Sequence, residues 1–313
     1  MADCHNLFEQ YNNSISINSS KKQRMKDSKE ALRKRIVDFF RANHPDYDPK
    51  FYIQGSHKMK TGIRTKDDIC DLDDGVYFFK EPDVEPTTVQ GWVWDAVNGH
   101  TNEIPQHRKK CIRNIFAGDY EIDLPVYYKI DGQDYKLAVK DSGWEASDPK
   151  AVVTWFKSHK DENGLLVRTV KYQKGWGDNL RNKMPSGLAM TILATNAKQK
   201  IVHNDRDDIY LRDILNEIKK SLDLAFVCFV PAVPFDNLFA DYDPDRKQRF
   251  LDSLNAFLDD ANQALREPNQ LKASRLWRKH LGDRFPLGED KEEDKSRANI
   301  LIAGSASSKP WCS

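Results

Sequence analysis

Two aspartates separated by one residue are the feature of this sequence with the clearest chemical meaning. Asp71 and Asp73 lie in the segment CDLDDGVYFF, whose aromatic and β-branched residues predict a strand. Residues i and i+2 of a strand project from the same face, so we expect both carboxylates on one side and Leu72 on the other. Two adjacent carboxylates repel each other unless a cation lies between them. The spacing therefore predicts a site for a hard divalent cation such as Mg²⁺.

A third acid lies in a later strand-like segment, YEIDLPV at residues 120–126. Ile122, Leu124 and Val126 share one face of this predicted strand, so Asp123 projects from the other. Taken alone, Asp123 is more simply interpreted as solvent-facing, but the aspartate pair on a neighbouring strand favours a shared site. Three carboxylates hold two metal ions about 3.5–4 Å apart in enzymes of phosphoryl transfer. The other nearby acids are expected to lie in loops or at the rim: Asp67, Asp68 and Asp74.

The turn Gln54-Gly55-Ser56 supplies a phosphate-binding side for such a site. Glycine lets backbone N–H groups approach a phosphate closely, and serine adds a hydroxyl donor. A lone Gly-Ser pair is weak evidence, because most are ordinary turns. Here a predicted strand, FYIQ, precedes it, and the aspartate pair begins fifteen residues after the serine. This order favours binding of a nucleoside triphosphate over simple hydrolysis.

The elements that must position these residues change along the chain. An amphipathic helix is predicted over 24–41, and strands dominate up to about residue 145. Asp148-Pro149 is a typical helix start, and helical periodicity dominates after it. We therefore predict an α+β fold with a sheet core at 1–145, whose N-terminal helix is expected to brace both lobes, and a helical lobe at 146–288. The first helix presents one apolar stripe: Met25, Leu32, Ile36, Phe39 and Phe40.

Composition restricts the class of protein. Of the 313 residues, 39% are hydrophobic and 31% are charged, and no apolar run approaches the roughly 20 residues of a transmembrane helix. The first residues lack the pattern of a signal peptide, so we expect a cytoplasmic protein without a membrane partner. Five widely spaced cysteines predict free thiols and no structural zinc. Lysine and arginine (49) balance aspartate and glutamate (48), which argues against a protein that coats long DNA.

The order Gly-Ser, then Asp-x-Asp, then a third Asp on a later strand resembles that of the polymerase-β-like nucleotidyltransferases. The segments QGSHKMKT, CDLDDGVYF, IDLPVYY and VKYQKGW followed by PSGLAMTILA are similar to those of the bacterial cGAS/DncV-like nucleotidyltransferases (CD-NTases). Each motif is short, but the ordered set, from about residue 50 to residue 195, is specific. The resemblance implies a bilobed fold, with a sheet lobe and a C-terminal helical lobe around a central cleft.

The resemblance implies roles for the matching acids and for the turn. Asp71, Asp73 and Asp123 would bind two Mg²⁺ ions, with Mn²⁺ as an alternative metal. Asp123 would also help to activate the acceptor hydroxyl. Gln54-Gly55-Ser56 would hold the triphosphate of the donor nucleotide.

Further phosphate contacts are implied by the later motif. Lys174, directly before Gly-Trp, matches a family lysine that contacts the distal phosphates, and Lys171 lies one turn away. Ser186 lies where a phosphate-contacting serine is expected. Without the resemblance, both lysines would be interpreted as exposed helix residues and Ser186 as a helix N-cap.

The resemblance implies an enzyme that joins ATP, GTP or both into a cyclic di- or oligonucleotide and releases pyrophosphate. In this family the product serves bacterial antiphage signalling (CBASS) by activating a separate effector. Cyclic GMP-AMP and cyclic di-GMP are the leading expectations, and a trinucleotide stays open because the residues that choose the base are not identified.

Two other functions share the same acids. A template-independent RNA-tailing nucleotidyltransferase has the same catalytic triad but needs a basic groove for its RNA acceptor. A metal-dependent phosphodiesterase would also use an acidic cluster. The animal cyclic GMP-AMP synthases grip DNA with a zinc-binding insertion, and no His-Cys-Cys cluster occurs here, so long DNA is not expected as an activator.

The C-terminal residues 289–313 are predicted to form a flexible tail. Residues 289–297 carry five acids and three bases, and 303–309 are small or polar, so neither stretch buries enough apolar surface to fold. Some operons of the resembled family encode a ubiquitin-transferase-like protein that conjugates the synthase through its C-terminus. The terminal Trp311-Cys312-Ser313 would then dock into such a partner, or else form an inert end.

Overall fold

The structure, a computed structural model, describes residues 2–181 and 184–291. Within these residues the chain forms ten α-helices and eight strands. The helices are α1 (His5–Ile15), α2 (Ser19–Asn43), α3 (Gly55–Met59), α4 (Pro86–Val97), α5 (Pro149–Ser158), α6 (Leu165–Leu180), α7 (Gly187–Lys198), α8 (Asp207–Leu224), α9 (Pro244–Arg266) and α10 (Gln270–Leu281). The strands are β1 (Lys50–Gln54), β2 (Asp71–Phe78), β3 (Gln106–His107), β4 (Ile112–Phe116), β5 (Tyr120–Leu124), β6 (Val126–Tyr128), β7 (Lys136–Val139) and β8 (Gly143–Ala146).

These strands form one sheet, in which β2 lies between β1 and the successive strands β5 and β6. β1 is antiparallel to β2, whereas β5 and β6 both run parallel to it. Pro125 separates β5 from β6 because proline has no N–H to donate to the ladder; its carbonyl oxygen accepts from the Val76 N–H (2.9 Å). The half of β2 that carries Asp71 and Asp73 is therefore paired with β5, which carries Asp123.

One face of the sheet is covered by α2 and α4. The predicted stripe on α2 is confirmed: Met25, Leu32, Ile36 and Phe40 are buried in the core of the sheet lobe. Leu72 belongs to the same core, so the aspartates on either side of it project from the opposite face of β2. This opposite face meets the helical lobe.

The helical lobe is built from α5 to α10, which confirms the helices expected after residue 145. The predicted start of α5 is confirmed in detail: Asp148 Oδ1 accepts a hydrogen bond from the Ala151 N–H (2.9 Å), with Pro149 in the first turn. The helix α1, which we did not predict, packs in this lobe and not on the sheet. Its Phe8 contacts the rings of Trp277 and Phe285. The boundary at 145 stays a prediction as a division into domains, and α1 belongs physically to the later part.

The chain remains packed up to the end of the described residues. The backbone oxygens of Glu289 and Lys291 accept hydrogen bonds from the N–H groups of Leu271 and Gln270 at the start of α10 (2.9 and 3.2 Å). Residues 292–313 of the predicted tail, with Trp311-Cys312-Ser313, lie outside the described residues. None of the helices in residues 2–181 and 184–291 is long and apolar enough to cross a membrane.

Candidate active site

A cavity of about 830 Å³ lies between the sheet lobe and the helical lobe. We call it the cleft. It is lined by residues of β1, α3, β2 and β5 on one side and of α5, α6 and α7 on the other. The predicted residues that line it are Gln54, Gly55, Ser56, Asp71, Asp73, Asp123 and Lys174.

The three predicted carboxylates meet in the cleft because of strand pairing. Asp73 on β2 and Asp123 on β5 are direct partners in the parallel ladder, and Asp71 lies two residues before Asp73 on the same face. Burial raises the pKa of Asp73 to about 7, and repulsion from Asp123 and Asp71 adds to the effect. Burial also raises the pKa of Asp71, against the attraction of Arg113. The cleft therefore holds negative charge that is unfavourable without a cation.

Arg113 on β4 is the functional residue that the sequence analysis missed most clearly. It lies opposite Asp123 in the antiparallel β4–β5 ladder. Its Nε and Nη2 donate to the two carboxylate oxygens of Asp123 (both 2.7 Å), and its Nη1 donates to Glu121. An arginine two residues beyond a cysteine carries no motif, so only the strand register reveals this pair.

The Arg113 pair bears on metal binding. Within residues 2–181 and 184–291 no group of three or more His, Cys, Asp or Glu side chains converges closely enough to form a metal site. Asp71 and Asp73 present carboxylate oxygens to the cleft, whereas both oxygens of Asp123 are engaged by the guanidinium group. The carboxylate oxygens of Asp71 and Asp73 suit a hard divalent cation. Asp123 becomes a ligand only if one of its oxygens leaves Arg113 or binds Arg113 and the cation together.

The Gly-Ser turn lies directly against the acids. Gly55 has a positive φ of 58°, and a Cβ atom there would lie 2.0 Å from Asp73 Oδ2. Only glycine permits this conformation and this close approach. The neighbouring Gln54 is buried, and its amide joins Tyr77 and Tyr127: it accepts from the first hydroxyl (3.1 Å) and donates to the second (3.3 Å). Ser56 and Gly55 thus face the carboxylates, while the Gln54 side chain holds β1 to the sheet.

Lys174 enters the cleft from α6. Its Nζ donates to the carbonyl oxygen and the hydroxyl of Thr61 (3.1 and 3.2 Å), which follows α3. Burial lowers the pKa of Lys174 to about 8, against the attraction of Asp73 and Asp71. The cleft therefore contains one lysine from the helical lobe facing the acids of the sheet lobe.

The structure does not bring the other two predicted phosphate contacts to the acids. Lys171 Nζ donates to Ser16 Oγ (2.9 Å) and Asn12 Oδ1 (3.3 Å), and it lines a different cavity. Ser186 is the N-cap of α7, where its hydroxyl accepts from the Ala189 N–H (3.2 Å). Its neighbours Pro185 and Gly187 line the cleft.

Two more cleft residues had no signal in the sequence. Gln173, next to Lys174, lines the cleft and is fully buried, and neither polar atom of its amide has a hydrogen-bond partner. Asp236 lines the cleft from the segment between α8 and α9. A buried glutamine on a helix looks like any other core position until the surrounding helices are placed.

The prediction that Asp74 is a rim acid was wrong. Asp74 is fully buried, on the opposite face of β2 from Asp73, and Arg33 Nε on α2 donates to its Oδ2 (2.7 Å). The period of two along a strand places adjacent aspartates on opposite faces. Asp67 does lie at the rim, where Arg181 donates to it (2.6 Å).

Comparison with known proteins points to one group. Residues 49–127 match the family described as "Cyclic GMP-AMP synthase DncV-like, nucleotidyltransferase domain". A cyclic GMP-AMP synthase of Escherichia albertii is 30% identical over 211 residues, 62% of this chain and 46% of the relative. A cyclic AMP-AMP-AMP synthase of an Acinetobacter strain is 29% identical over 150 residues, 46% of this chain and 44% of the relative. This chain thus matches less than half the length of these curated relatives.

Solved structures extend the fold match to nearly the whole chain. Vibrio cholerae DncV, a cyclic AMP-GMP synthase, superposes with a TM-score of 0.79 at 17% identity, covering 91% of this chain and 97% of that one. Escherichia coli DncV in its 3′-deoxy GTP bound form gives 0.75 at 17% identity, covering 87% and 93%. The α+β prediction is confirmed, because this chain has the DncV fold. Its residues 49–127 match the DncV-like nucleotidyltransferase domain, in agreement with the predicted resemblance.

Proposed function

We propose that this protein is a nucleotidyltransferase that joins nucleoside triphosphates into a cyclic di- or oligonucleotide. One observation carries the proposal: the Gly55-Ser56 turn lies against the strand-paired acids Asp73 and Asp123 in a cleft that Lys174 also enters. A turn that admits phosphate, an anionic metal-binding edge and a facing lysine are the parts that phosphoryl transfer needs.

Different residues of the cleft contact the donor and the acceptor nucleotide. The backbone N–H groups and hydroxyl of Gly55-Ser56 bind the donor triphosphate, and Lys174 binds its distal phosphates. The hydroxyl of the acceptor attacks the α-phosphorus, and the bond to the leaving pyrophosphate breaks as the new O–P bond forms. Asp123 accepts a hydrogen bond from the acceptor hydroxyl, orients it for attack and takes up its proton as the new O–P bond forms.

Asp71 and Asp73 would hold two Mg²⁺ ions, with Mn²⁺ as an alternative metal. Asp123 would be the third ligand once at least one of its oxygens is released from Arg113 or is shared between Arg113 and the metal. When bound, such ions activate the acceptor hydroxyl and stabilise the leaving oxygen. The raised pKa values of Asp73 and Asp71 support this assignment. Burial raises them first and repulsion between the acids adds to it, and a divalent cation would offset both effects.

A cyclic product is supported by the relatives. The two curated relatives are named cyclic GMP-AMP synthase and cyclic AMP-AMP-AMP synthase. Vibrio cholerae DncV has also been solved with the linear intermediate 5′ pppA(3′,5′)pG. We propose that one cleft performs both steps, with the linear intermediate turning between them. Cyclic GMP-AMP and cyclic di-GMP are the leading products, and the product would activate a separate effector in antiphage signalling.

The test is incubation of the purified protein with each labelled nucleoside triphosphate, singly and in pairs, with Mg²⁺, followed by mass analysis. We expect a cyclic oligonucleotide and pyrophosphate. Extension of an added RNA by single nucleotides would replace this proposal with an RNA-tailing activity. Cleavage of an added dinucleotide to mononucleotides, without joining of triphosphates, would replace it with a phosphodiesterase activity.

A further inference from the structure

A second cavity, of about 850 Å³, lies on the other side of the turn that faces the acids. Its walls come from α2, α3, α6 and the face of β2 that carries Leu72. We call it the basic cavity, because six of its lining residues are basic and none is acidic. These six are Lys22, Lys26, Lys29, His57, Lys60 and Lys171.

The positive charge of the basic cavity is not a property of the whole molecule. The chain has 49 lysines and arginines and 48 aspartates and glutamates, so a lining of five lysines, one histidine and no acid is a local concentration. Lys29 forms an ion pair with Glu30 (2.8 Å). Lys22, Lys26 and Lys60 are exposed, and they form no ion pair among the described residues. Their charge is available to a ligand.

The cations in the basic cavity act against one another. Lys171 donates only to the neutral side chains of Asn12 and Ser16. Burial lowers its pKa to about 8, and repulsion from Lys22 and Arg168 adds to the effect. The pKa of His57 is also lowered, by burial first and then by Lys29 and Lys22. A bound anion would offset the repulsion between these cations and provide the negative charge that the lining of the cavity lacks.

The shape and chemistry restrict the ligand. A volume of about 850 Å³ is typical of a small-molecule site and too small for a folded partner. Lysines bind phosphates as compact point charges, and several together favour a ligand with several phosphate groups. We propose that the basic cavity binds a small polyphosphorylated anion, such as an inorganic oligophosphate or a nucleoside polyphosphate.

This ligand would act on the active site, a step that rests on the proposed function. The segment 55–62 is the wall between the two cavities, and its Gly62 lines both. Ser56 lies on the cleft side of this wall, and His57 and Lys60 lie on the other. Lys174 holds the wall from the cleft through Thr61. An anion bound to His57 and Lys60 would therefore restrain the turn that binds the donor triphosphate.

The binding test uses calorimetry with inorganic tripolyphosphate in metal-free buffer, which needs no catalysis. We compare wild type with Lys22→Glu/Lys26→Glu, whose side chains are exposed on α2. The matched control, Lys34→Glu/Arg41→Glu, makes the same charge change on the same helix at side chains 78% and 76% exposed. We expect the cavity variant to weaken binding at least ~10-fold and the control less than ~3-fold, since only the former sits beside the anion.

Several results would overturn this proposal. Equal affinities of the cavity variant and wild type for tripolyphosphate would show that the anion binds in the cleft or binds without a specific site. Equal losses in both variants would show only a general charge effect. Tighter binding of a single-stranded RNA of about 20 nucleotides, lost in the cavity variant, would make nucleic acid the ligand instead. By contrast, competition by a nucleoside polyphosphate stronger than that by tripolyphosphate would support the proposal and identify a nucleotide as the ligand.

The link to the cleft is tested separately by hydrogen exchange of the 55–62 amides. Tripolyphosphate should slow their exchange in wild type and not in Lys22→Glu/Lys26→Glu. Unchanged exchange despite binding would overturn the link. Binding and exchange both remain measurable if no cyclic nucleotide is ever made, so failure of the proposed function and failure of this proposal are distinguishable.

Discussion

At the scale of single residues, the cleft is governed by negative charge held close together. Asp71, Asp73 and Asp123 share one face of two paired strands. Within residues 2–181 and 184–291, only Asp123 has a direct cationic partner there, Arg113. The arrangement suits metal and phosphate, but it costs stability in their absence. The first two predictions follow from this balance.

The variant Asp71→Asn/Asp73→Asn should abolish synthesis without loss of folding. In metal-free buffer its melting temperature should equal or exceed that of wild type, because the substitution removes repelling carboxylates. The pKa of Asp73, about 7 in the folded state, lies above the ordinary value of about 4. The folded state therefore binds more protons between these values, and stability falls as pH rises through that window.

The gain in melting temperature of this variant over wild type should thus be larger near pH 7.5 than near pH 5. Calorimetric scans at both values measure it. A variant that still makes full amounts of product would remove these aspartates from the active site. A gain that is the same at both pH values would show that Asp73 titrates normally.

Replacement of Arg113 tests its pairing with Asp123. Arg113→Met should lower the free energy of unfolding by about 2 kcal/mol, because it leaves a largely buried carboxylate without its partner. Asp123→Asn in the same chain should restore part of that stability, since the uncompensated charge is then gone. Denaturant titration measures both variants; no recovery in the double variant would mean that the pair is not coupled.

At the scale of elements, two short connections carry the phosphate side of the site. The β1–α3 turn brings Gly55 against Asp73, and the helix α6 delivers Lys174 to Thr61. The first connection sets the close approach of the Gly55 backbone to Asp73, and the second sets the position of the Lys174 ammonium group in the cleft. The third and fourth predictions concern these connections.

Gly55→Ala should abolish synthesis and lower the melting temperature. The new methyl group would meet Asp73 Oδ2 at 2.0 Å, on a backbone with φ of 58°. Gly99→Ala is the matched control, since φ is 71° there and no atom lies within 4 Å of the added Cβ. The control should cost about 1 kcal/mol from its conformation alone and leave synthesis intact. Equal behaviour of the two variants would mean that the contact with Asp73 is unimportant.

Lys174→Ala should raise the KM for the nucleoside triphosphate more than it lowers kcat. A contact with the distal phosphates is similar in the ground state and the transition state, so its loss weakens binding first. Lys171→Ala should have a smaller effect, because Lys171 lies in the basic cavity and not beside the acids. Steady-state kinetics at saturating metal decide this. Reversed effects would place the phosphate contact one turn earlier on α6.

At the scale of the whole molecule, both ends of the described part of the chain pack against α10. α1 packs in the helical lobe, where the Tyr11 hydroxyl donates to the carbonyl oxygen of Leu281 (3.0 Å) at the end of α10. The backbone of Glu289 and Lys291 is paired with the start of the same helix. The packed part of the described chain therefore extends to residue 291.

Deletion of residues 292–313 should leave synthesis and melting temperature unchanged, since the composition of this segment cannot support a core. The longer deletion of 288–313 should lower the melting temperature, because it also removes the pairing with α10. Loss of synthesis in the shorter deletion would show that the enzyme needs its last residues. Normal synthesis with lost protection in cells would instead support docking of the tail to a partner.

The local pattern of the sequence determined many of the elements, though not α1, and the main acids. The alternation of CDLDDGVYFF, the Asp148-Pro149 cap and the apolar periods of α2 and α5–α10 act over neighbouring residues, so they are legible without a structure. The same period of two placed Asp71 and Asp73 on one face. Applied to Asp74, it would also have excluded the rim position that we assigned.

Only the tertiary structure decided which distant residues meet. The pairing of Arg113 with Asp123 depends on the register of β4 and β5, and register is set by how whole strands pack, not by any one residue. The separation of Lys171 from Lys174 depends on where α1, α2 and the segment 55–62 lie around α6. The basic cavity depends on the same placement. Its lysines lie apart in the sequence among residues of both charges. Their positive charges add up at one place only because the fold brings them around the same cavity.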